Sequence, residues 1–409
     1  MKIRKEFIFI LFILAIMIIS LQAISASGDV QSVDSINDVS SDIVSVPQNK
    51  DINSDVLKDI VSSSDNSNSK EVNFDDVNNI LGDTSNIIFI SPTGNDTNGT
   101  GTQAHPYQTI SKAITINHEN GGGKTIYLKA GNYTEYSLEV KDNITFFGMD
   151  KDSVIFNINS NGRAFIIDVP NGNVKIKGIS FINCSASNEN QKGLGGAILL
   201  NNGNLTIENA VFNNCQASEG AAIANKAGTL TIKSSTFENN MIDQTSTKNG
   251  GSTIVSYGDL FIDSSTFKNN NANNLNGTIY IADNANIINS KFISNIASND
   301  GAIAIKANKG ANIRISGNTF KNNNASSNGG AISIEGSKLT DITGNTFDSN
   351  IAKANGGAID VNDNTNIVNN NFNNNTAVNG GSISLKKGNL TLSKNTITKS
   401  NATNGKYRR

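Results

Sequence analysis

The side chains that could carry acid–base chemistry are scattered through the repeated part of the sequence. Acid–base cleavage of a polysaccharide needs carboxylates, with a basic residue, on one face of the protein. Asp360 and Asp363 are close in sequence, but no repeat-equivalent acids stand beside them in the flanking units. The sequence therefore predicts no catalytic site and no cofactor. The acids considered are Asp259, Asp263, Asp283, Asp300, Asp341, Asp348, Asp360 and Asp363.

Arginine and histidine give no support to a site either. Arg314 lies in an alternating segment and is expected to point outward, and Arg163 is expected in an Asn-Gly-Arg turn. His105 and His118 have no cysteine or acid at a spacing that suits a metal. The abundant asparagines are neutral, whereas calcium sites need several carboxylates. The asparagines are therefore expected in stacked rows and turns, and no metal site is predicted.

A unit of 25 to 31 residues repeats along the chain and contains two motifs. The first motif is F-x-x-N, in which Cys184 and Cys215 replace the first two asparagines. The second is GGAI, which is complete at 195–198, 329–332 and 356–359 and occurs as variants in the other units. The phenylalanines stand at Phe181, Phe212, Phe237, Phe267, Phe292, Phe320, Phe347 and Phe372, with Ile397 in the next position.

Each unit contains three short segments of alternating character, separated by Asn and Gly clusters that are typical of turns. Such a unit cannot close a core alone, but stacked copies can. The sequence therefore predicts an all-β fold, a right-handed single-stranded parallel β-helix with three short strands per coil. Equivalent residues would form ladders, with Phe on Phe and Asn on Asn. A helix near 108–117 would cap the N-terminal end of the core.

Cys184 and Cys215 are the only cysteines, and they occupy the same position in successive repeats. Strands one coil apart lie about 4.8 Å from each other, within the Cα–Cα range of a disulfide. Export would also permit oxidation. We therefore predict a candidate disulfide between these cysteines, the alternative being two buried thiols that replace asparagines in the ladder.

The ends of the chain differ in composition from the repeats. Residues 1–26 have the basic, apolar and small-residue order of a signal peptide, with the apolar run from Phe7 to Ile19. Residues 27–86 carry a net charge of −9 and predict an acidic, disordered spacer. Residues 87–405 are assigned to the β-helix, with the cap and first coils in 87–180 and the repeats in 181–405. Residues 406–409 form a basic tail.

The sequence resembles three groups of surface proteins. The segments 88–96, 105–110 and 125–133 resemble the start of pectate-lyase-like β-helices. The GGAI and F-x-x-N units are similar to polymorphic outer-membrane protein repeats of the chlamydial kind. Together with the Asn/Asp-rich leader, the whole chain looks most like adhesin-like surface proteins of methanogenic archaea. This resemblance implies a β-helix and a role in adhesion.

The function predicted from the sequence is therefore that of a non-enzymatic, extracellular or cell-surface adhesin that presents a polar face to glycans or partner proteins. The alternative is a secreted polysaccharide-active enzyme. Residues 87–409 carry a net charge of only +5, so nucleic-acid binding is not expected. Contact with a membrane is expected only through the signal segment, if it is uncleaved. Eleven Asn-x-Ser/Thr sequons also predict a glycoprotein, at Asn95, Asn98, Asn132, Asn143, Asn183, Asn204, Asn276, Asn324, Asn374, Asn389 and Asn401.

Overall fold

The computed structural model describes residues 84–186, 193–243, 251, 253–272, 276–308 and 310–404. These residues belong to one compact unit, Val72–Arg409. The predicted signal peptide, almost all of the predicted spacer and the basic tail lie outside the described residues. Among the described residues, no helix is long and apolar enough to cross a membrane.

The described chain is nearly all β, with parallel coils that stack into a solenoid, as the sequence predicts. Its strands form four parallel ladders, and each strand pairs with its equivalent one coil away. Ladder 1 contains β4 (Leu138–Val140), the first parts of β7 (Phe165–Lys177) and β9 (Ile198–Glu208), β12 (Ile223–Asn225), β16 (Ile254–Ser256), β20 (Ile279–Ile281), β24 (Ile303–Lys306), β28 (Ile332–Glu335), β32 (Ile359–Val361) and β36 (Ile383–Leu385).

Ladder 2 follows ladder 1 along each coil. It contains β1 (Ile87–Ile90), β2 (Lys124–Leu128), β5 (Ile144–Gly148), the second parts of β7 and β9, β13 (Thr229–Lys233), β17 (Asp259–Asp263), β21 (Ala285–Ile288), β25 (Asn312–Ser316), β29 (Leu339–Thr343), β33 (Thr365–Val368) and β37 (Leu390–Ser393).

Ladder 3 carries the repeated phenylalanines. It contains β3 (Gly131–Tyr133), β6 (Val154–Asn157), β8 (Ser180–Ile182), β10 (Val211–Asn213), β14 (Thr236–Glu238), β18 (Thr266–Lys268), β22 (Lys291–Ile293), β26 (Thr319–Lys321), β30 (Thr346–Asp348), β34 (Asn371–Asn373) and β38 (Thr396–Thr398).

Ladder 4 consists of two-residue strands and adds a fourth strand to the three that the sequence predicts for each coil. Two residues are too few for a visible alternation, so the sequence pattern does not reveal them. The strands are β11 (Gln216–Ala217), β15 (Met241–Ile242), β19 (Asn271–Ala272), β23 (Ile296–Ala297), β27 (Asn324–Ala325), β31 (Ile351–Ala352), β35 (Thr376–Ala377) and β39 (Asn401–Ala402).

The phenylalanines of ladder 3 stack inside the solenoid as the repeat predicts. From Phe212 to Phe372 the rings of neighbouring coils lie 4.7–5.0 Å apart between centroids, at interplanar angles of 3–8°. All of them are fully buried. Large apolar rings in one register position remove much surface from water, so this column stabilises the stack and fixes the register.

The asparagines of F-x-x-N form a buried ladder beside the phenylalanines. Asn323, for example, accepts hydrogen bonds on its Oδ1 from the backbone N–H and the side-chain amide of Asn295, at 3.1 and 3.0 Å. Its own amide donates to Asn350 Oδ1 and to the carbonyl of Phe292, both at 2.9 Å. The predicted Asn ladder is therefore present, and its interior amides satisfy polar groups in both neighbouring coils.

A second polar ladder lies two residues before each phenylalanine. It changes from serine to asparagine along the stack, so its repeat is less visible in the sequence. The residue before each member has a left-handed backbone, as at Asn289 (φ 51°) and Asn369 (φ 57°). Asparagine tolerates this conformation better than most residues. The described members are Ser235, Ser265, Ser290, Asn318, Asn345, Asn370 and Asn395.

The GG step of the repeat forms a tight turn before ladder 1. Gly356 has a φ of +61°, and a Cβ there would overlap the carbonyl of Ile359. A Cβ at Gly357 would overlap the carbonyl of Gly381 in the next coil. The first glycine therefore permits the turn and the second permits close stacking of coils.

A short helix lies at the N-terminal end of the stack, two residues later than the predicted 108–117. Helix α1 spans Ile110–Glu119, and its residues Ile110 and Ala113 are buried in the core. Two carboxylates bind backbone N–H groups at the start of this helix: Asp96 accepts from Gln108 and Thr109, just before it, and Glu135 accepts from Ile110 and Ser111, its first two residues. These contacts satisfy donors that a helix start leaves open. A 3₁₀ helix at Thr84–Asn86 precedes β1.

Candidate functional site

The outer side of ladder 1 is partly covered by the chain that precedes the GG step. This preceding segment makes its own parallel column, in which Asp300, Asn328, Asn355 and Asn379 follow one another from coil to coil. Neighbouring side chains of the column also bond, as Asn355 Nδ2 donates to Asn328 Oδ1 at 2.8 Å. We call this column the rim, because it borders the cleft described next.

An open cleft of about 740 Å³ lies between the rim and the outer side of ladder 1. We call it the Tyr280 cleft. Its lining combines one aromatic ring with several amides and charged groups, a composition that can bind hydroxyl-rich molecules. The lining residues are Asn276, Tyr280, Asn299, Asp300, Lys306, Ala307, Asn308, Asn328, Glu335 and Gly336.

Charged side chains from successive coils meet in the Tyr280 cleft. Lys306 and Glu335 are register partners on β24 and β28, and their Nζ and Oε2 atoms are 2.9 Å apart. Lys306 Nζ also lies 3.3 Å from Oδ2 of Asp300, which is only 2% exposed. A single lysine therefore holds a buried and an exposed carboxylate together at the wall of the cleft.

A second ion pair continues the charged row beyond the cleft. Asp360, on the outer side of β32, is also 2% exposed, and its Oδ2 accepts from Lys386 Nζ at 2.8 Å. Among the described residues, no hydrogen bond reaches Asp360 Oδ1 or Asp300 Oδ2. Asp300 and Lys306 form an ion pair, with Lys306 Nζ 3.3 Å from Asp300 Oδ2. Both buried carboxylates keep one oxygen without a hydrogen bond from the described chain.

The neighbouring groups and burial raise the pKa of Lys306 and of Asp360 and lower that of Glu335. Burial acts to lower the pKa of Lys306, but the charge of Asp300 and the hydrogen bond to Glu335 outweigh it, so the pKa is raised. The Lys306 hydrogen bond lowers the pKa of Glu335. Burial raises the pKa of Asp360, against the opposing effect of Lys386. At neutral pH Lys306 is therefore a fixed cation, and it is not a base.

Two tyrosines stand at one end of this row. Tyr280 is half-buried and Tyr257, from the preceding coil, is 42% exposed. Their ring centroids are 6.0 Å apart, and the Tyr257 hydroxyl lies 3.2 Å from Glu219 Oε2. Burial raises the pKa of both phenols above the ordinary value. The two rings therefore provide a neutral aromatic surface beside the charged groups.

The structure brings together acids that the sequence analysis treated as scattered. Asp300, Glu335 and Asp360 stand at different positions of the repeat unit, so comparison of equivalent positions cannot detect them. Asp300 lies in the rim, whereas the other two lie on ladder 1. Glu335 was not among the acids considered. The sequence does contain one signal for this site. Polar residues alternate with apolar ones along ladder 1, and the polar residues Ser333, Asp360 and Ser384 are register partners on its outer side.

In the part of the chain that the structure describes, no arginine or histidine lines the Tyr280 cleft. Arg314 is exposed on β25 of ladder 2 in register with Asp341, as expected for an outward residue. Arg163 is instead fully buried, and its Nε donates to the carbonyl of Gly195 at 3.2 Å. His118 binds Asp142 at 2.8 Å at the capped end. No group of three His, Cys, Asp or Glu side chains among the described residues could hold a metal.

The two cysteines lie side by side in the buried ladder. Ser180 to Ile182 pair with Val211 to Asn213, and Ser185 pairs with Gln216, so Cys184 and Cys215 are in register. Both are buried thiols in the structure. Burial, and then contact with Cys215, raises the pKa of Cys184. The disulfide stays a prediction.

No family model matches this sequence, and no curated protein matches it. Among solved structures, tailspike protein 3 of bacteriophage CBA120 aligns over 74% of this chain at 12% identity, with a TM-score of 0.42. The alignment spans 51% of the tailspike. PfbA, a surface adhesin of Streptococcus pneumoniae, aligns over 76% of this chain and 90% of its own, at 14% identity and a TM-score of 0.41.

The A-module of the Azotobacter vinelandii mannuronan C-5 epimerase AlgE6 also aligns, over 71% of this chain and 94% of its own, at 14% identity and a TM-score of 0.30. The three proteins have different roles, and all three TM-scores are below 0.5. These likenesses carry no argument about the function of this chain.

Proposed function

We propose that this protein is an extracellular, adhesin-like β-helix that binds glycan chains in the Tyr280 cleft. The observation that carries the proposal is the lining of the cleft, where an aromatic ring, amides and charged groups from successive coils face one open space. Tyr280 can stack on the apolar face of a sugar ring. Asn308 and Asn328 can both donate to and accept from sugar hydroxyls.

Because the coils stack in one direction, the row of polar and aromatic side chains that includes the cleft is elongated along the stack. Six residues of this row come from six successive coils, one from each: Tyr257, Tyr280, Lys306, Glu335, Asp360 and Lys386. Five inter-strand spacings correspond to about 24 Å. A row of this length suits an oligosaccharide better than a single small molecule.

The cellular location rests on the sequence. The basic residues Lys2, Arg4 and Lys5 followed by the apolar run from Phe7 to Ile19 support export, and the resemblance to archaeal adhesin-like proteins supports a surface role. We propose that the signal peptide is removed and that residues 27–86 form an acidic, disordered spacer before the β-helix. Partner proteins at the surface are a further class of ligand consistent with the polar outer side.

A glycan array tests the proposal. The full repeat body is expected to bind a defined group of oligosaccharides, and Tyr280→Ala is expected to weaken that binding about tenfold, or ~1.4 kcal/mol. Tyr136→Ala is the matched control, because Tyr136 is 51% exposed and far along the chain from the cleft. Binding that is absent from the array, or equal in both variants, contradicts the proposal.

A polysaccharide-active enzyme is the second candidate, because two neighbouring carboxylates have pKa values moved in opposite directions. The raised pKa of Asp360 suits a general acid and the lowered pKa of Glu335 suits an ionised partner. Turnover of the bound glycan that Asp360→Asn abolishes, and that Asp341→Asn on ladder 2 leaves unchanged, would favour the enzyme over the adhesin. We expect no turnover, because Glu335 and Asp360 are already engaged in ion pairs with Lys306 and Lys386.

A further inference from the structure

We infer that Asn324 carries an N-linked glycan, and that the first sugar ring of this glycan covers two exposed isoleucines, Ile296 and Ile351, on the outer side of ladder 4. None of these three residues lines the Tyr280 cleft, so the inference does not rest on the proposed function. It rests on the register of ladder 4, on the exposure of the three side chains and on the free amide of Asn324.

The register of ladder 4 places the asparagine between the two isoleucines. In β23, β27 and β31 the first residue is exposed and the second is a buried alanine. The three exposed residues are Ile296, Asn324 and Ile351, and Asn324 pairs with each isoleucine. Neighbouring strands of a sheet lie about 4.8 Å apart. A sugar ring joined to the Asn324 amide therefore has an isoleucine one coil away on each side.

Ile296 and Ile351 leave apolar surface in water. Ile351 is 46% exposed and Ile296 is 41% exposed, and every residue of the turns that flank their strands is described. Single apolar side chains on a surface are ordinary. Here two of them flank the first residue of a glycosylation sequon in one row. The C–H face of a pyranose ring can remove this surface from water, and burial of apolar area is favourable.

The Asn324 amide is free to be modified. Asn324 begins the sequon Asn-Ala-Ser, and both Asn324 and Ser326 are exposed. The side chain of Asn324 makes no hydrogen bond to the described residues. The amides of Asn183, Asn204 and Asn374, in other sequons, instead donate to side chains of the preceding coil at 3.1–3.2 Å. An exposed amide without a hydrogen bond is the better acceptor of a sugar.

The transfer needs a lipid-linked sugar phosphate as the donor. The bond between C1 of the first sugar and the phosphate oxygen breaks, and a bond from C1 to Nδ2 of Asn324 forms. The proton of Nδ2 leaves with the released lipid phosphate, so the atoms balance. The enzyme for this step is the oligosaccharyltransferase of the producing cell, which recognises the sequon.

Peptide mass spectrometry tests whether Asn324 is modified. The full chain is secreted from a host that attaches N-linked glycans, and an amidase then removes each glycan and converts the asparagine that carried it to aspartate. We expect aspartate at position 324. An unmodified Asn324 overturns the inference, whether or not the other sequons are modified.

Thermal melts of variants test whether the glycan covers the isoleucines. All glycans are first trimmed enzymatically to one sugar. Asn324→Gln is expected to melt about 2 °C below the unchanged protein, because the isoleucines return to water. Asn401→Gln is the matched control, since Asn401 is an exposed ladder 4 sequon whose register partner is the polar Thr376. It should melt with the unchanged protein.

A second background separates the cover from other effects of a glycan. In the double variant Ile296→Thr, Ile351→Thr the apolar surface is removed, so adding Asn324→Gln is expected to cause no further loss. Equal losses for Asn324→Gln and Asn401→Gln overturn the inferred cover. A loss from Asn324→Gln that persists in the double variant overturns it as well.

Discussion

At the residue scale, the buried asparagines connect one coil to the next. Each interior ladder amide, at Asn270, Asn295, Asn323 and Asn350, accepts two hydrogen bonds from one neighbouring coil and donates to both neighbouring coils. The amide is neutral, so the ladder places no charge in the core. A neutral side chain with both donors and acceptors is the group that such a position requires.

We predict that Asn323→Ala lowers the stability of the stack by about 1–3 kcal/mol, because it leaves a buried N–H of Asn295 and a carbonyl of Phe292 without partners. Asn324→Ala is the matched control, since Asn324 is the next residue and is exposed. Thermal unfolding measures both. Equal melting temperatures for the two variants would show that the ladder contributes little.

The cysteine pair is a second test at this scale. We predict that exported protein, purified from outside the cells that produce it, contains a disulfide between Cys184 and Cys215. This bridge would stabilise the first repeats by about 3–4 kcal/mol. Mass spectrometry of unreduced peptides decides the question. Two freely alkylated thiols would refute the bridge and leave the thiols as replacements for ladder asparagines.

The sequence predicts glycosylation at eleven sequons, and the structure argues against one of them. Asn276 is 8% exposed and lines the Tyr280 cleft, so a glycan at this sequon would not fit. The sequon motif records only local sequence, whereas exposure depends on how neighbouring coils pack. Glycosylation of the exposed sequons, such as Asn324 and Asn401, stays a prediction.

At the element scale, the GG step determines how closely two coils approach. We predict that Gly357→Ala destabilises the stack by about 1–3 kcal/mol, because its Cβ would overlap the backbone of Gly381. Gly310→Ala serves as the control, since a Cβ there meets no atom within 4 Å. Denaturant unfolding of both variants measures the difference. An unchanged midpoint for Gly357→Ala would contradict the role assigned to the second glycine.

The N-terminal helix gives a prediction about pH. Burial acts to raise the pKa of Asp96, but hydrogen bonds from Thr109 and Gln108 outweigh it and lower the pKa below 3.8. A lowered folded pKa stabilises the folded state above the unfolded value, and this stabilisation is lost as the pH falls through the folded value.

The melting temperature of Asp96→Asn is therefore expected to lie below that of the unchanged protein near neutrality. The gap should close between about pH 5 and pH 2. Thermal melts across this range measure it. A gap that persists at the acid end would show that Asp96 acts through shape and not through charge.

At the scale of the whole stack, the sequence predicts the fold well and the site poorly, for one reason. Phe181, Phe212 and their equivalents repeat because each coil meets the same neighbours, so stacking is visible as a period. The Tyr280 cleft instead combines Asp300 from the rim with Glu335 from ladder 1. These residues have different repeat positions, and only the fold of the segment before the GG step brings them together.

A single tryptophan tests the central claim, that saccharides bind in the Tyr280 cleft. The sequence contains no tryptophan, so Tyr280→Trp places one fluorescent reporter in the cleft. Tyr136→Trp is the matched reporter elsewhere. Both proteins are titrated with the glycan that the array selects. We predict a saturating change in emission at position 280 and none at 136. An unchanged spectrum at position 280, while calorimetry shows binding, would contradict the assignment of the site.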